Sequence, residues 1–314
     1  MQNIRIGIIG VGSVGSTTAY SLSILGICHE IILFDINHDM AYGKAIDIGQ
    51  SSYYSTSKNT NIRAVNNIND MKKCNVVVIT AGVPRRNNMS REDLLMINAQ
   101  IIKDVTLSIK KNSPDAIIIC VSNPLDVMTY IIHKITKWKQ ERVIGMGGAL
   151  DGSRMAYQIN QKINYDLKQI GNLVVGDHGE NMIPLPQHTT VGNIPLGKLI
   201  SIEDIKHVTK KTKNGGAQIV KHLGTSGYYG PARAIVHMIE AIINDSKTIV
   251  SASVMLNGEY GYKDITIGVP IVLGSKGVES IIELDLDSKT KEKFRISINS
   301  IKNNIDILIK NNFL

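Results

Sequence analysis

Large aromatic side chains are scarce in this sequence, whose 314 residues include one Trp and three Phe. The hydrophobic fraction is nevertheless 43%, an ordinary value for a globular protein. The interior is therefore expected to consist mainly of Ile, Leu, Val and Met. The length is sufficient for two domains, each with a core of its own.

Cysteine is also rare, with three residues in the whole chain: Cys28, Cys74 and Cys120. Their number is odd, they are widely spaced, and they lie in or beside apolar segments. This pattern excludes a disulfide framework and predicts buried, reduced thiols in a reducing compartment.

Long apolar runs and clustered basic residues are absent as well. No run is long enough to cross a bilayer, and Met1–Gly7 leads straight into a strand without room for a signal peptide. The net charge is +8, but the lysines are scattered in pairs and do not alternate with aromatic residues. We therefore expect a cytoplasmic protein that binds neither membranes nor nucleic acid. An acidic substrate would account for part of the positive charge.

The clearest motif is GVGSVG, which begins at Gly10 between an apolar strand and a helix. A second strand, Glu30–Phe34, follows and ends at Asp35. Gly10 would permit a tight turn, Gly12 would let a pyrophosphate approach the backbone, and Gly15 would let helix and strand pack closely. Strand, glycine loop, helix, strand and acid in this order predict a dinucleotide site.

Asp35 also indicates which dinucleotide binds. A carboxylate at this position would accept hydrogen bonds from the adenosine ribose hydroxyls. It would repel a 2′-phosphate, and no arginine follows it to hold one. The expected cofactor is NAD.

Strands and helices alternate through the first half of the chain, and the strands are apolar throughout. This pattern predicts an α/β fold with a doubly wound parallel sheet. We assign residues 1–147 to an NAD-binding Rossmann domain and residues 148–314 to an α+β substrate domain. In the second domain we predict a strand at Pro184–Val191 and a final helix at Ser288–Asn311.

Three arginines, Arg85, Arg86 and Arg91, lie in the loop between a buried strand and a long helix. Ser90 is placed to cap that helix, with Asp93 completing a capping box. Ligands of parallel sheets bind at the carboxyl ends of the strands, where this loop emerges. An anion is therefore expected here, although a solvated basic loop is the simpler alternative.

Four other side chains suggest acid–base chemistry on a carboxylic acid, although each could be a turn residue, a surface ion pair or a solvated histidine. His178 could exchange a proton near neutral pH, and Asp151 could fix its tautomer. Arg154, three residues after Asp151 on one helix face, could hold a substrate carboxylate. Arg91 could polarise a carbonyl, and Asn123 could add a further donor.

These motifs together resemble the lactate/malate dehydrogenases along essentially the whole chain. The matching segments are GVGSVG with Asp35, AGVPRRNNMSREDLL, VSNPLD, GALDGSR, VVGDHGENMIP and GTSGYYGPA. The resemblance implies hydride transfer to and from NAD, with catalytic residues His178, Asp151 and Arg91. It implies substrate contacts from Arg85, Arg91, Asn123, Arg154 and Ser226. It implies cofactor contacts from Gly10, Val11, Gly12, Ser13, Val14, Gly15, Asp35, Asn98, Val121, Ser122 and Asn123.

The resemblance also suggests two features of backbone and assembly. The Asn123–Pro124 peptide bond is expected to be cis. A homo-tetramer or homo-dimer is expected, with the helices at Met40–Gln50 and Ala232–Asn244 as candidate interface faces.

Arg85 indicates the substrate. Lactate enzymes of the family typically have glutamine at the matching position, and malate enzymes have arginine. Oxaloacetate offers a second carboxylate to Arg85, whereas pyruvate would leave the charge unpaired at a cost of about 3–5 kcal/mol if it were enclosed. The sequence therefore predicts malate dehydrogenase activity on a 2-hydroxy or 2-oxo dicarboxylate, with lactate dehydrogenase activity as the alternative.

Two departures from the family pattern concern the site. Asn87–Asn88 stand where proline and glycine are usual, which could alter loop closure. Asp177 stands where malate enzymes usually have glycine, and it would raise the pKa of His178 if its carboxylate approached the ring.

Two other readings are weaker. Tyr54 and Lys58 formally match the tyrosine–lysine pair of short-chain dehydrogenases, but they lie in a polar loop too soon after the first βαβ unit. A catalytically silent NAD-binding protein would have lost at least one of His178, Asp151, Arg91 and Arg154, and none is lost.

Overall fold

The computed structural model describes residues 3–55, 57, 59–84 and 89–314. The first half of the chain forms six parallel strands in the order β3-β2-β1-β4-β5-β6, which confirms the predicted doubly wound sheet. The strands are β1 (Arg5–Ile9), β2 (Glu30–Phe34), β3 (Asn61–Ala64), β4 (Val76–Ile79), β5 (Ile117–Cys120) and β6 (Val143–Gly145). The helices are α1 (Ser13–Leu25), α2 (His38–Ser51), α3 (Arg91–Asn112) and α4 (Leu125–Thr136).

The central strands are apolar because helices cover both faces of the sheet. Every residue of β4 and β5 is buried. Ser90 caps α3, and its side chain and that of Asp93 form the expected capping box. The loops that leave the carboxyl ends of the parallel strands therefore meet at one edge of a rigid sheet.

The second half of the chain combines four helices with short strands and a long antiparallel ribbon. The helices are α5 (Gly147–Ile163), α6 (Ile202–Leu223), α7 (Tyr229–Ile243) and α8 (Ser288–Lys310). The short strands are β7 (Ile170–Gly171), β8 (Val174–Val175), β9 (Ile183–Pro184), β10 (Thr190–Val191) and β11 (Ile194–Pro195). The ribbon consists of β12 (Thr248–Asn257), β13 (Lys263–Gly274) and β14 (Gly277–Ile281).

The ribbon extends the parallel sheet. β12 pairs antiparallel with β6 at Ser253 and Gly145, and β13 and β14 follow outward. The result is one nine-stranded sheet to which both halves of the chain contribute. α7 packs against α1, and α8 packs against α3 and α4, so the second half also covers the first.

The predicted strand at Pro184–Val191 is wrong. The structure has two two-residue strands there, β9 and β10, separated by a 3₁₀ turn at Pro186–His188. Pro186 lacks an N–H for a strand ladder, and its fixed φ suits the first position of a helical turn.

The core has the composition that the scarcity of aromatics predicted. The largest fully buried side chains are all Ile or Leu. Cys28, Cys74 and Cys120 are free and buried, as expected, and burial raises the pKa of the Cys28 and Cys120 thiols to about 12. None of the helices in the described part of the chain is long and apolar enough to cross a membrane.

Candidate active site

The glycine loop has the geometry that close approach of a phosphate requires. Gly10 has a φ of +90°, and a Cβ on Gly15 would lie only 2.0 Å from the Gly10 carbonyl oxygen. A Cβ on Gly12 would meet no described atom within 4 Å, so the backbone there faces open space. Ser13 and Val14 begin α1, whose N-terminus has no side-chain cap in this part of the structure. The positive end of the helix is therefore directed at a place where an anion fits.

Asp35 connects the end of β2 to this loop. Its Oδ2 accepts a hydrogen bond from the Val11 N–H at 2.7 Å, and its Oδ1 accepts one from the Asn37 N–H at 3.0 Å. Lys44 of α2 donates to the Val11 carbonyl at 2.6 Å. Each carboxylate oxygen of Asp35 keeps a further lone pair. The residue therefore fits the expected contact with ribose hydroxyls, and the loop as a whole fits NAD.

Asn98 holds two further loops at the same sheet edge. This buried side chain accepts a hydrogen bond from the Val83 N–H at 2.9 Å and donates to the Asn123 carbonyl at 2.8 Å. The buried hydroxyl of Ser122 donates to the Ala81 carbonyl. Both side chains thus support the loops that follow β4 and β5, while Asn123 itself is exposed at the edge.

The loop after β5 contains the expected cis peptide bond, between Asn123 and Pro124. Val121, also an expected cofactor contact, is half-buried at the start of this loop.

His178, Asp151 and Arg154 form one continuous set of contacts. His178 Nδ1 lies 2.8 Å from Asp151 Oδ2, and Arg154 Nη1 lies 2.9 Å from Asp151 Oδ1. The Asp151 side chain is 2% exposed, and those of His178 and Arg154 are 14% and 20% exposed. Asp151 and Arg154 are three residues apart on α5, whereas His178 is on the loop after β8. The carboxylate therefore orients the ring and the guanidinium together.

Several groups act on the protonation of His178. Burial alone lowers the pKa of the ring. The charge and hydrogen bond of Asp151 and the charge of Asp126 raise it, while Arg154 lowers it. The net result is a pKa above the ordinary value of 6.5, so the carboxylates outweigh burial.

Arg154 lines a cavity of about 480 Å³ between α5, α6 and the start of α7. A Cβ on Gly215 or Gly216 of α6 would lie 3.3 Å from the Arg154 side chain, so these glycines give the guanidinium room. Ser226 is exposed on the loop between α6 and α7, directly before Gly227, which lines the cavity.

Arg91 is the first residue of α3, and its side chain is 80% exposed. Its Nη2 lies 3.7 Å from Oε1 of Glu180, two residues after His178, so the helix start and the histidine loop face each other. Arg85, Arg86, Asn87 and Asn88 lie outside the described residues.

A sequence model described as the lactate/malate dehydrogenase NAD binding domain matches residues 4–145, and one described as the alpha/beta C-terminal domain matches residues 148–311. The chain belongs to the lactate/malate dehydrogenase family. It is an NAD-dependent oxidoreductase, and the glycine loop and Asp35 lie within its NAD-binding part.

Individual relatives match the chain over nearly its full length. A malate dehydrogenase of Sulfurimonas denitrificans is 50% identical, with 99% of this chain and 98% of the relative covered. The solved malate dehydrogenase of Salinibacter ruber has a TM-score of 0.93 and 37% identity, with 98% of each chain covered. A solved lactate dehydrogenase from a Medee basin deep-sea metagenome has a TM-score of 0.94 and 32% identity, with 98% of this chain and 99% of that chain covered. The fold is therefore shared by malate dehydrogenases and lactate dehydrogenases, and it does not distinguish between them.

Asp177, the departure from the family pattern, is directed into its own loop. Its two oxygens accept hydrogen bonds from the Asn181 N–H at 3.1 Å and the Asn181 side-chain amide at 3.0 Å. Burial raises the pKa of Asp177. The carboxylate thus braces the turn that carries His178.

Sequence reasoning missed two residues that touch His178. Asp126, in the first turn of α4, accepts a hydrogen bond from the His178 N–H at 2.8 Å. Gly147 begins α5, and a Cβ there would lie 2.7 Å from His178 Cβ. Asp126 belongs to VSNPLD, one of the segments that carry the family resemblance, and Gly147 directly precedes another, GALDGSR, but no local pattern indicates what they contact.

Proposed function

We propose that this protein is a malate dehydrogenase that interconverts malate and oxaloacetate reversibly with NAD. The observation that carries the proposal is the set of contacts from His178 through Asp151 to Arg154. It supplies a proton donor and a carboxylate anchor beside the sheet edge where the NAD-binding loops meet. The names of the full-length relatives support the choice of substrate.

NAD, when bound, supplies the hydride acceptor for malate and, as NADH, the hydride donor for oxaloacetate. His178 moves the proton. Its Nδ1 is held by Asp151, so Nε2 is the atom that faces the substrate oxygen. The protonated ring gives the Nε2 proton to the carbonyl oxygen of oxaloacetate, and the neutral ring takes the hydroxyl proton of malate. The two directions therefore have opposite pH dependences.

Three other groups would hold the substrate. Arg154 uses Nη1 on Asp151 and would present its remaining donors to the carboxylate next to C2. Asn123, exposed at the end of the β5 loop, would donate to the same end of the substrate. Arg91 would leave Glu180 to polarise the reacting carbonyl. Breaking the Arg91–Glu180 pair costs little free energy, because an exposed ion pair of this kind contributes ~1 kcal/mol or less to stability.

We further propose that residues 1–147 hold the cofactor and residues 148–314 provide the proton donor and carboxylate anchor. Arg85 belongs by sequence to the first of these segments, in the loop that would cover the substrate. Its role would be to pair with the second carboxylate of oxaloacetate. Ser226, beside the Arg154 cavity, would contribute from the opposite side.

The test is a steady-state comparison of oxaloacetate and pyruvate in NADH oxidation, for the unchanged enzyme and for Arg85→Gln. We expect oxaloacetate to be favoured by about two powers of ten or more in kcat/KM, because pyruvate leaves the arginine unpaired. Arg85→Gln should reduce that preference mainly by lowering kcat/KM for oxaloacetate. Arg86→Gln, the neighbouring change, is the matched control and should leave the preference in place.

Lactate dehydrogenase activity is the second candidate because a solved lactate dehydrogenase has an equally similar fold. Comparable kcat/KM values for the two substrates would favour it and would contradict the role given to Arg85. Binding of NADH without oxidation by either substrate would contradict both activities.

For assembly and location we propose a cytoplasmic homo-oligomer, either a tetramer or a dimer. Tyr42 and Ile46 of α2 are 63% and 45% exposed, which supports α2 as an interface. The apolar side of α7 is buried within the chain, so that helix offers mainly its polar face. Sedimentation equilibrium of the unchanged protein and of Ile46→Glu tests this, and a monomer in both would contradict it.

A further inference from the structure

Asp126 is a second buried carboxylate in contact with His178, in addition to Asp151, which holds the ring. It is 5% exposed, in the first turn of α4, and its Oδ2 accepts the His178 N–H at 2.8 Å. The other oxygen, Oδ1, is buried and has no hydrogen-bond partner among the described residues. The nearby Ser253 hydroxyl is buried and unpartnered as well. A buried carboxylate that uses only one oxygen is costly to fold and calls for an explanation.

The charged groups around the ring come from five helices and the histidine loop itself. The nearest are Asp126 of α4, Asp151 and Arg154 of α5, and Asp177 of the loop. Further out, Lys213 of α6 lies near Asp177, Lys293 of α8 lies near Lys213, and Glu180 of the loop pairs with Arg91 of α3. Asp151 is shared with Arg154, which offsets part of its charge. Asp177 is engaged by Asn181. Asp126 has no cationic partner in the described structure other than His178 itself.

We propose that Asp126 is a second positioning carboxylate for His178, which fixes the main chain of the histidine and favours the protonated ring electrostatically. The proposal rests on the proton-transfer role of His178 proposed above. Asp126 does not touch the substrate. It acts through the histidine, by holding the His178 backbone N–H, whereas Asp151 holds Nδ1 of the ring.

The position of Asp126 explains how a buried charge is tolerated. The first turn of α4 presents the positive end of the helix dipole to the carboxylate, and the His178 N–H adds a charge-assisted hydrogen bond. Burial nevertheless raises the pKa of Asp126 to about 6, although the Ser253 hydroxyl, near but outside hydrogen-bonding geometry, and the His178 N–H oppose the increase. Asp126 is therefore mostly ionised well above pH 6 and mostly neutral well below it.

This titration gives the proposal a distinctive pH signature. Above pH 6 the negative charge favours the protonated imidazole, so removing it lowers the pKa of His178. Oxaloacetate reduction needs the protonated ring and would then decline at lower pH. Well below pH 6, Asp126 is mostly neutral in the unchanged enzyme, so its removal has little effect on the ring.

The variant to make is Asp126→Asn, which keeps the shape and removes the charge. The amide oxygen can still accept the His178 N–H, and the amide nitrogen can donate to the unpartnered Ser253 hydroxyl. The elevated pKa means that the ionised carboxylate destabilises the folded state at neutral pH. The variant should therefore unfold at the same temperature or higher, and melting temperature checks this. Asp177→Asn, at the residue directly before His178, is the matched control.

The first measurement is kcat/KM for oxaloacetate as a function of pH. For Asp126→Asn we expect kcat/KM for oxaloacetate to fall roughly three- to tenfold at about pH 8.5 and to change little at about pH 5.5. The reason is that the decline of activity on the alkaline side of the pH profile begins at a lower pH. Malate oxidation should shift in the same direction, so it gains activity at lower pH. Asp177→Asn should shift the pH profile of either reaction by a smaller amount. The proposal would be overturned if the pH profile of kcat/KM did not shift in Asp126→Asn, or if it shifted equally in Asp177→Asn.

A second measurement does not depend on turnover. The ring of His178 can be titrated by NMR of histidine-labelled protein, with the signal assigned through His178→Asn among the eight histidines. A lower pKa in Asp126→Asn supports the proposal even if the substrate is not oxaloacetate, and an unchanged pKa rejects it. If that variant does not fold, the unchanged protein serves, because the His178 signal should show a second inflection as Asp126 titrates near pH 6. Absence of that inflection would reject the proposal. An inactive but folded wild type would contradict the proposed function alone.

Discussion

Contacts to the main chain hold the loops on the proposed cofactor side of the cleft, whereas charge pairs between side chains hold the proposed substrate side. On the cofactor side, Gly15 packs directly on the Gly10 carbonyl, and Asn98 bonds the backbones of neighbouring loops. On the substrate side, Asp151 joins His178 and Arg154 through its two oxygens. The first arrangement depends on contacts to backbone atoms, including those from Asp35 and Lys44, and the second depends on charge pairs between side chains.

The difference predicts which measurements each side controls. Changes to glycine-loop geometry should alter NADH affinity, with little effect on the pH dependence of turnover. Changes among the charged groups should alter turnover and its pH dependence, while NADH still binds. A glycine-loop variant that altered the pH dependence of turnover, or a charged-group variant that altered NADH affinity, would show that the two sides are coupled.

The largest effect is expected from Asp151→Asn. The ring would lose its charge partner, Arg154 would lose its ion pair, and the pKa of His178 would fall because Asp151 raises it. We expect kcat/KM for oxaloacetate to fall by about 10²–10⁴-fold, the range of general acid–base catalysis. Isothermal titration should find NADH affinity unchanged within about twofold if the comparison holds. A large loss of NADH binding would mean that this carboxylate also maintains the cofactor side.

Gly147→Ala should have the next largest effect. Its methyl group would lie 2.7 Å from His178 Cβ, so the histidine has to move. A displacement of about 1 Å at a catalytic group can cost roughly 10²-fold in rate. Gly49→Ala in α2 is the control, because a Cβ there meets nothing within 4 Å. Equal turnover for the two variants in a stopped-flow assay would show that the histidine loop can shift without slowing the reaction.

The smallest effects on catalysis, but the sharpest on binding, come from a pair of glycine-loop variants. Gly12→Ala adds a methyl group in open space, so stability should change by no more than about 0.5 kcal/mol. The methyl group would occupy the place expected for the pyrophosphate, and NADH affinity should fall roughly tenfold or more. Gly15→Ala clashes with a backbone oxygen at 2.0 Å and should instead destabilise the fold by about 1–3 kcal/mol.

Thermal unfolding and fluorescence titration with NADH distinguish these two glycine effects. Equal stability of the Gly12 and Gly15 variants would contradict the packing role of Gly15. Unchanged NADH affinity in Gly12→Ala would contradict the location of the pyrophosphate.

Local sequence patterns were sufficient for the parallel sheet, the glycine loop and the cap of α3. Each of these depends on residues close together in the chain, such as Ser90 with Asp93, or Gly10 with Gly15. The direction of Asp177 could not be predicted in this way. Whether its carboxylate faces the ring or Asn181 depends on turn geometry that one sequence does not display.

Long-range contacts around His178 were also beyond sequence reasoning. Asp126 is 52 residues from His178 along the chain, and its partner there is a backbone N–H that every residue but proline possesses. Gly147 matters because of the atoms that surround it, which only the packed structure reveals. The predicted strand at Pro184–Val191 failed because Pro186, in its interior, begins a 3₁₀ turn.

The pairing of β12 with β6 has a consequence for any attempt to divide the chain. A fragment ending at residue 147 would contain every glycine-loop contact, but it would expose the backbone of β6 as an open sheet edge. Such an edge can pair with the same edge of another copy, so the fragment is expected to self-associate. It would also leave bare the surface of α1 that α7 covers. The two parts of the chain can be distinguished by sequence, but the first part expressed alone would need a new neighbour for β6, and the second would need one for β12.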